Sequence, residues 1–227
     1  MRAAAGDSPG MAYVDLYWLP LGAGGHSVRI NGRVYEWLKA RVERRDPLDL
    51  YHAGLEVDVP EGRYVIEMTP IPGGNPAARG VVAEGPVGSR MLRRFRLFRY
   101  EVRRWRGGSI PDVAEAVDSP RRLTDDVLIG RRLLEAVPSV PTYVWGRDEL
   151  WVHDMWNSNS LVAWLLARSG IDADAVQPPT GGRAPGWSAG LVAARQASTR
   201  AEAPSSAASA SRTGTKRPTK IGVSRSV

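Results

Sequence analysis

The chain has no cysteine in 227 residues, which excludes a disulfide scaffold, a thiolate zinc site and a cysteine nucleophile. It has no run of about 18 apolar residues, the length a helix needs to cross a bilayer. Its first ten residues are polar and contain glycine, without the apolar centre of a signal peptide. A soluble, cytoplasmic protein is therefore the expectation. No repeat recurs at a period of about 20–50 residues. The glycines at residues 22–25 and 73–74 lack the lysine of a phosphate loop, so they give little support to nucleotide binding.

What is present is enough for a packed interior: 43% hydrophobic residues, including eight tryptophans. Strands and helices alternate without a regular βαβ order, which points to an α+β fold with a small, mostly antiparallel sheet against helices. One domain is expected over residues 11–195, after a disordered stretch at 1–10. The net charge of +7 is concentrated at the end of the chain. Arg200, Arg212, Lys216, Arg217, Lys220 and Arg225 stand there against Glu202 alone. Residues 196–227 are rich in Ser and Ala and lack aromatics, the composition of a disordered basic tail.

Residues 11–21 alternate as a strand, with Val14, Leu16 and Trp18 against Tyr13, Asp15 and Tyr17. A short strand at 28–30 and an amphipathic helix at 34–45 follow. Residues 51–59 and 63–69, joined by Pro60-Glu61-Gly62, form the clearest hairpin. Residues 71–86 read as a loop and 92–105 as strand-like near their end. Helices are expected at 110–117 and, capped by Thr124, at 124–137. Residues 141–147 are extended, and 177–191 form a Pro/Gly loop anchored by Trp187 and Leu191.

The most informative stretch is Asn157-Ser158-Asn159-Ser160, which opens an apolar helix that stops at Gly170. A helix N-terminus presents free N–H groups and partial positive charge, so it can cap itself, bind an anion or support a nucleophile. His52 lies on the hairpin's first strand with Gly54 and Glu56 on its face, and Glu67 sits among apolar residues on the second. A hydroxyl, an imidazole and a carboxylate are the parts of an activated-nucleophile site. The candidate catalytic set is His52 as base, Glu67 as orienter and Ser158 as nucleophile. Asn157, Asn159 and Arg183 are the substrate-binding candidates, Arg183 lying in a Gly181-Gly182-Arg183 turn suited to an anion.

A strand-borne His, a polar residue on the next strand and, much later, a short Asn-rich motif opening an apolar helix resemble the circularly permuted papain-like hydrolases. These include NlpC-type peptidases and the lecithin retinol acyltransferase group. The resemblance is carried by the helix and one His and spans about residues 51–170. It implies a permuted papain-like fold and a hydrolase or acyltransferase acting on an amide or ester of a small molecule or peptide. The family nucleophile is cysteine, and serine stands in its place here, so an inactive relative fits the same pattern. No cofactor and no metal are expected.

Each of these residues also has a structural use. Asn157 or Ser158 serves as an N-cap, worth about 1 kcal/mol. His52 suits an ordinary strand position, Glu67 can pair with an arginine, and Asn159 and Ser160 can bond to the 177–191 loop. His153-Asp154 alone make a poor metal site. A separate feature is the run Arg90, Arg93, Arg94, Arg96, Arg99, Arg103, Arg104 and Arg106, interleaved with Phe95, Phe98, Tyr100 and Trp105. Such a pattern can track phosphates. It also fits a solvated face paired with Asp112, Glu115 and Asp118. The alternative function is thus a non-enzymatic protein that engages an acidic partner, such as nucleic acid, through this segment and the tail.

Overall fold

The computed structural model describes residues 12–21, 48–71 and 80–202. The readings at 28–30 and 34–45, and His26, lie outside them. The fold is α+β. Six strands form an antiparallel path, β1 (Tyr13–Pro20), β2 (Asp49–Val59), β3 (Gly62–Pro70), β4 (Val81–Pro86), β5 (Arg99–Arg106) and β6 (Val117–Thr124). Their spatial order is β4-β5-β3-β2-β1-β6, and the two-residue β7 (Gly182–Arg183) pairs in parallel with the start of β2. Three α-helices, α1 (Val127–Ala136), α2 (Ser158–Ser169) and α3 (Trp187–Glu202), occur among the described residues.

Strand alternation divides the sheet into two unlike faces. Val14, Leu16 and Trp18 of β1, with Tyr51, Ala53, Leu55 and Val57 of β2, point toward α1 and α2 in one large core. Helix α2 is buried almost all round from Ser158 to Leu166, as expected of a helix at the centre of a core rather than on its surface. Each fully buried leucine there contributes about 1.5–3 kcal/mol. Gly190 lets α3 lie directly on α2, since a Cβ at that position would meet the Ser160 carbonyl oxygen at 2.3 Å.

The opposite face is polar and only partly filled by a small cluster of Leu19, Val65 and Ile110. Arg103 bridges two carboxylates on this face, at 2.6 Å from Glu67 and 2.5 Å from the fully buried Glu101. Opposite charges in contact offset the desolvation that each would otherwise suffer alone.

The structure differs from the expected elements in four places. Residues 110–117 are not a helix: Asp112 takes a left-handed conformation, one 3₁₀ turn spans Val113–Glu115, and β6 follows. Helix α1 begins at Val127, capped by Asp126, whose carboxylate accepts the N–H groups of Leu128 and Ile129. Aspartate caps at least as well as threonine, and Thr124 accepts from the Asp126 N–H instead. The end of the 71–86 segment is the edge strand β4, paired with β5. Finally, the 177–191 segment contains β7 and the first turn of α3, which continues to Glu202.

Candidate functional site

The start of α2 forms as expected, and the polar side chains of Asn157, Asn159 and Ser160 are consumed by the fold. The Asn157 side-chain oxygen accepts the N–H groups of Asn159 (2.9 Å) and Ser160 (3.3 Å), while the Ser160 hydroxyl accepts the Asn157 N–H (3.0 Å). This reciprocal capping box satisfies the N–H groups of Asn157, Asn159 and Ser160 in the first turn. The remaining amide of Asn157 donates to the Pro185 carbonyl at 2.8 Å, and Ser160 donates to the Gly186 carbonyl at 2.7 Å. Gly186 has φ +94° and lies so close that a Cβ would meet the Asn157 oxygen at 2.2 Å.

Asn159 does something different. Pairing of β2 with β3 begins at Leu55, leaving the earlier part of that β2 edge without a strand partner from β3. The Asn159 side chain fills the gap. Its oxygen accepts the Ala53 N–H (2.7 Å), and its amide donates to the carbonyls of Tyr51 (2.9 Å) and Pro185 (2.8 Å). One side-chain amide thus substitutes for a peptide unit of the missing strand, and Gly182–Arg183 pairs with β2 just beyond it. The expected bonds from Asn159 and Ser160 to the Pro/Gly segment are therefore present.

The three catalytic candidates are not brought together. His52 is opposite Leu19 in the β1–β2 register, so its side chain shares the polar face with Leu19. Its neighbours Tyr51 and Ala53 point the other way, toward the core that contains α2. Glu67 is on the same face as His52 but is held by Arg103 at 2.6 Å. No hydrogen bond joins His52, Glu67 and Ser158 to one another. Burial lowers the His52 pKa from 6.5 to about 4, with Asp112 acting weakly in the opposite sense. An imidazole in that setting is neutral at neutral pH and lacks the carboxylate that orients a general base. Arg183 contributes its backbone to β7, and the Gly182 N–H of the proposed anion turn is already donated to the Pro179 carbonyl at 2.9 Å.

The arginine run splits into two parts. The strand half is engaged: Arg99 with Glu84, Arg103 with Glu67 and Glu101, Arg104 with the Leu134 carbonyl and Arg106 with the Glu61 carbonyl. These partners replace the expected Asp112, Glu115 and Asp118. The preceding half, two short 3₁₀ turns at Arg90–Arg94 and Arg96–Phe98, lies at the surface. Arg93, Arg94 and Arg96 are exposed and form no ion pair among the described residues. Flanking them, Met91 and Leu97 are 81% and 83% exposed, and Phe95 between them is 48% exposed.

A second loop joins this tip. Arg90 binds Glu149 at 2.8 Å, Arg147 donates to the Gly88 carbonyl at 2.8 Å, and the Gly88 N–H donates to the Trp145 carbonyl at 3.0 Å. Two residues beyond Glu149, Trp151 is 88% exposed. Trp151 and His153 both have φ +59°, a costly conformation for residues other than glycine. The Asp148 carboxylate holds the loop in that shape by accepting the N–H groups of Val152 (3.0 Å) and His153 (2.8 Å). Burial pushes the Asp148 carboxyl up, but these bonds and one from Trp151 outweigh it and hold its pKa below the usual value. Asp154 fixes the far end by accepting the N–H groups of Gly186 (2.7 Å) and Ser188 (3.2 Å). A rigidly braced loop therefore turns its largest apolar side chain outward.

No cluster of His, Asp and Glu suited to a metal occurs among the described residues. No family model, no curated protein and no solved structure matches the chain. Sequence reasoning found the arginines of the tip but missed Trp151, Met91 and Leu97. Trp151 is one tryptophan of eight, and its exposure follows from the Asp148 bonds and positive φ, neither of which leaves a periodic signal.

Proposed function

We propose that the chain is a non-enzymatic binding protein that engages an acidic partner through the tip at residues 90–97 and Trp151. The observation that carries this reading is the set of exposed Arg93, Arg94 and Arg96, which form no ion pair among the described residues, together with outward Met91, Leu97 and Trp151. Exposed cations attract an anionic partner over distance, and exposed apolar side chains gain when the contact is made. The basic residues of the tail add charge of the same sign. The test is binding of the full chain to heparin, a general polyanion, as salt is raised. Affinity should fall steeply with salt, and Arg93→Gln/Arg94→Gln/Arg96→Gln should weaken it at least about tenfold, or 1.4 kcal/mol. Equal binding by wild type and the triple variant overturns the reading.

A second reading is a permuted papain-like hydrolase or acyltransferase relative with Ser158 at the nucleophile position, either active or inactive. One contact favours it: Asn159, next to Ser158, bonds to the residues on either side of His52. Labelling of the wild type by a phosphonate acyl-transfer probe, abolished in Ser158→Ala, would establish an active site. Absence of labelling removes the catalytic version.

A further inference from the structure

We infer that the acidic partner is the anionic surface of a lipid bilayer, entered at headgroup depth by Met91, Leu97 and Trp151 while Arg93, Arg94 and Arg96 meet lipid phosphates. The inference rests on the binding reading above and specifies its partner. Six large apolar side chains are strongly exposed among the described residues, and four of them, Met91, Phe95, Leu97 and Trp151, belong to these two loops. Their concentration in two loops joined by the Arg90–Glu149 and Arg147–Gly88 bonds distinguishes them from the scattered apolar residues of an ordinary surface.

The chemistry of the four side chains selects among anionic partners. A single nucleic-acid strand is held by aromatic faces on which bases stack, along a basic groove. Met91 and Leu97, two of the most exposed groups, have no such face. Phe95 carries the Arg94 guanidinium 4.7 Å from its ring centroid, so one of its faces is already covered. The recess behind the tip, between Glu149 and Ala189, is too small to hold a water molecule. An aliphatic pair with a tryptophan and flanking arginines matches the polarity gradient of a membrane interface instead. There the indole sits among headgroups, aliphatic chains go deeper, and cations remain with phosphate.

Two further features agree. Shallow insertion alone gives weak, reversible attachment, and stable peripheral binding takes a second signal such as a polybasic segment. The sequence supplies one in Arg212, Lys216, Arg217, Lys220 and Arg225. The loop that carries Trp151 is also braced by Asp148 and Asp154 in a conformation that costs energy. Such bracing lowers the ordering cost when the side chain is inserted.

The experiment is co-sedimentation of the full chain with vesicles of phosphatidylcholine, with and without phosphatidylglycerol, alongside heparin and a single-stranded oligonucleotide. Wild type should bind only the vesicles that contain phosphatidylglycerol. Leu97→Ser/Trp151→Ser should lose at least about tenfold of that binding while keeping its affinity for heparin. Equal vesicle binding by the double variant overturns insertion. Binding to heparin or the oligonucleotide without vesicle binding overturns this inference and leaves the binding reading standing. Failure to bind any of them overturns both. A check that does not depend on loss of binding uses the absence of cysteine: Leu97→Cys can be labelled at one site with a polarity-sensitive dye. Its emission should shift to the blue on anionic vesicles, and an unchanged spectrum in the bound state contradicts insertion.

Discussion

The start of α2 and the tip at residues 90–97 spend their side chains in opposite ways. At the helix start, Asn157, Asn159 and Ser160 turn polar groups inward, and those groups bond to the backbone of β2 or of residues 185–186. At the tip, Met91, Leu97 and Trp151 turn apolar groups outward and stay 81–88% exposed. A buried polar group that is fully satisfied is explained by the fold that needs it. An exposed apolar group on a braced loop has no such explanation within the monomer. Of the two regions, the outward tip is the one whose side chains remain available for a partner.

The largest effect should come from Asn159→Ala. It strands the Ala53 N–H and the Tyr51 carbonyl in the interior, and a buried group without a partner costs about 1–3 kcal/mol. A total loss of about 3 kcal/mol is expected in urea denaturation. A loss below about 1 kcal/mol would mean that Asn159 is replaceable and free for another role.

Next is a dependence on pH through His52. Its folded pKa is about 4 against 6.5 in the ordinary case. Above pH 6.5 the imidazole is neutral in both states and exacts no penalty. As pH falls below 6.5 the unfolded chain binds the proton first, so stability is lost progressively down to about pH 4. Between pH 7 and about pH 5 the wild type should lose about 2 kcal/mol more than His52→Gln, measured by denaturation of both proteins at each pH. Parallel curves for the two would show that His52 is not held neutral by burial.

The smallest effects should be in stability at the two contrasted sites themselves. Ser158→Ala, at a residue that is not the cap, should change stability by no more than about 0.5 kcal/mol. Leu97→Ser should do the same, because exposed positions tolerate substitution within about 0.5 kcal/mol. A large loss from Leu97→Ser would place that side chain in the core and break the comparison.

Much of the fold was legible because burial wrote it as periodicity. The alternation in β1, the hairpin of β2 and β3 around Gly62, and α2 from Ser158 to Gly170 all follow from which face must avoid water. Strand β6 carries no strand signal because Val117–Thr124 is an exposed edge containing Pro120, without alternating apolar residues, and only its two end residues fall in the helices expected at 110–117 and 124–137. Strand β4 was hidden in the same way by glycine and proline at its end. At the candidate site, the capping motif could be read from Asn157 and Ser160, three residues apart. The role of Asn159 could not, since it depends on where β3 stops pairing with β2. The face of His52 was readable from Gly54 and Glu56, but its separation from Ser158 depends on which face of β2 the helix covers.

On the reading proposed above, the outward tip, rather than the helix start, is the binding surface. The direct measurement is the affinity of the full chain for phosphatidylglycerol-containing vesicles, compared among wild type, Ser158→Ala and Leu97→Ser/Trp151→Ser under one salt condition. Ser158→Ala should bind as wild type does while the double variant is weakened at least about tenfold. Loss of binding in Ser158→Ala with the double variant unaffected would contradict that reading and return the function to the start of α2.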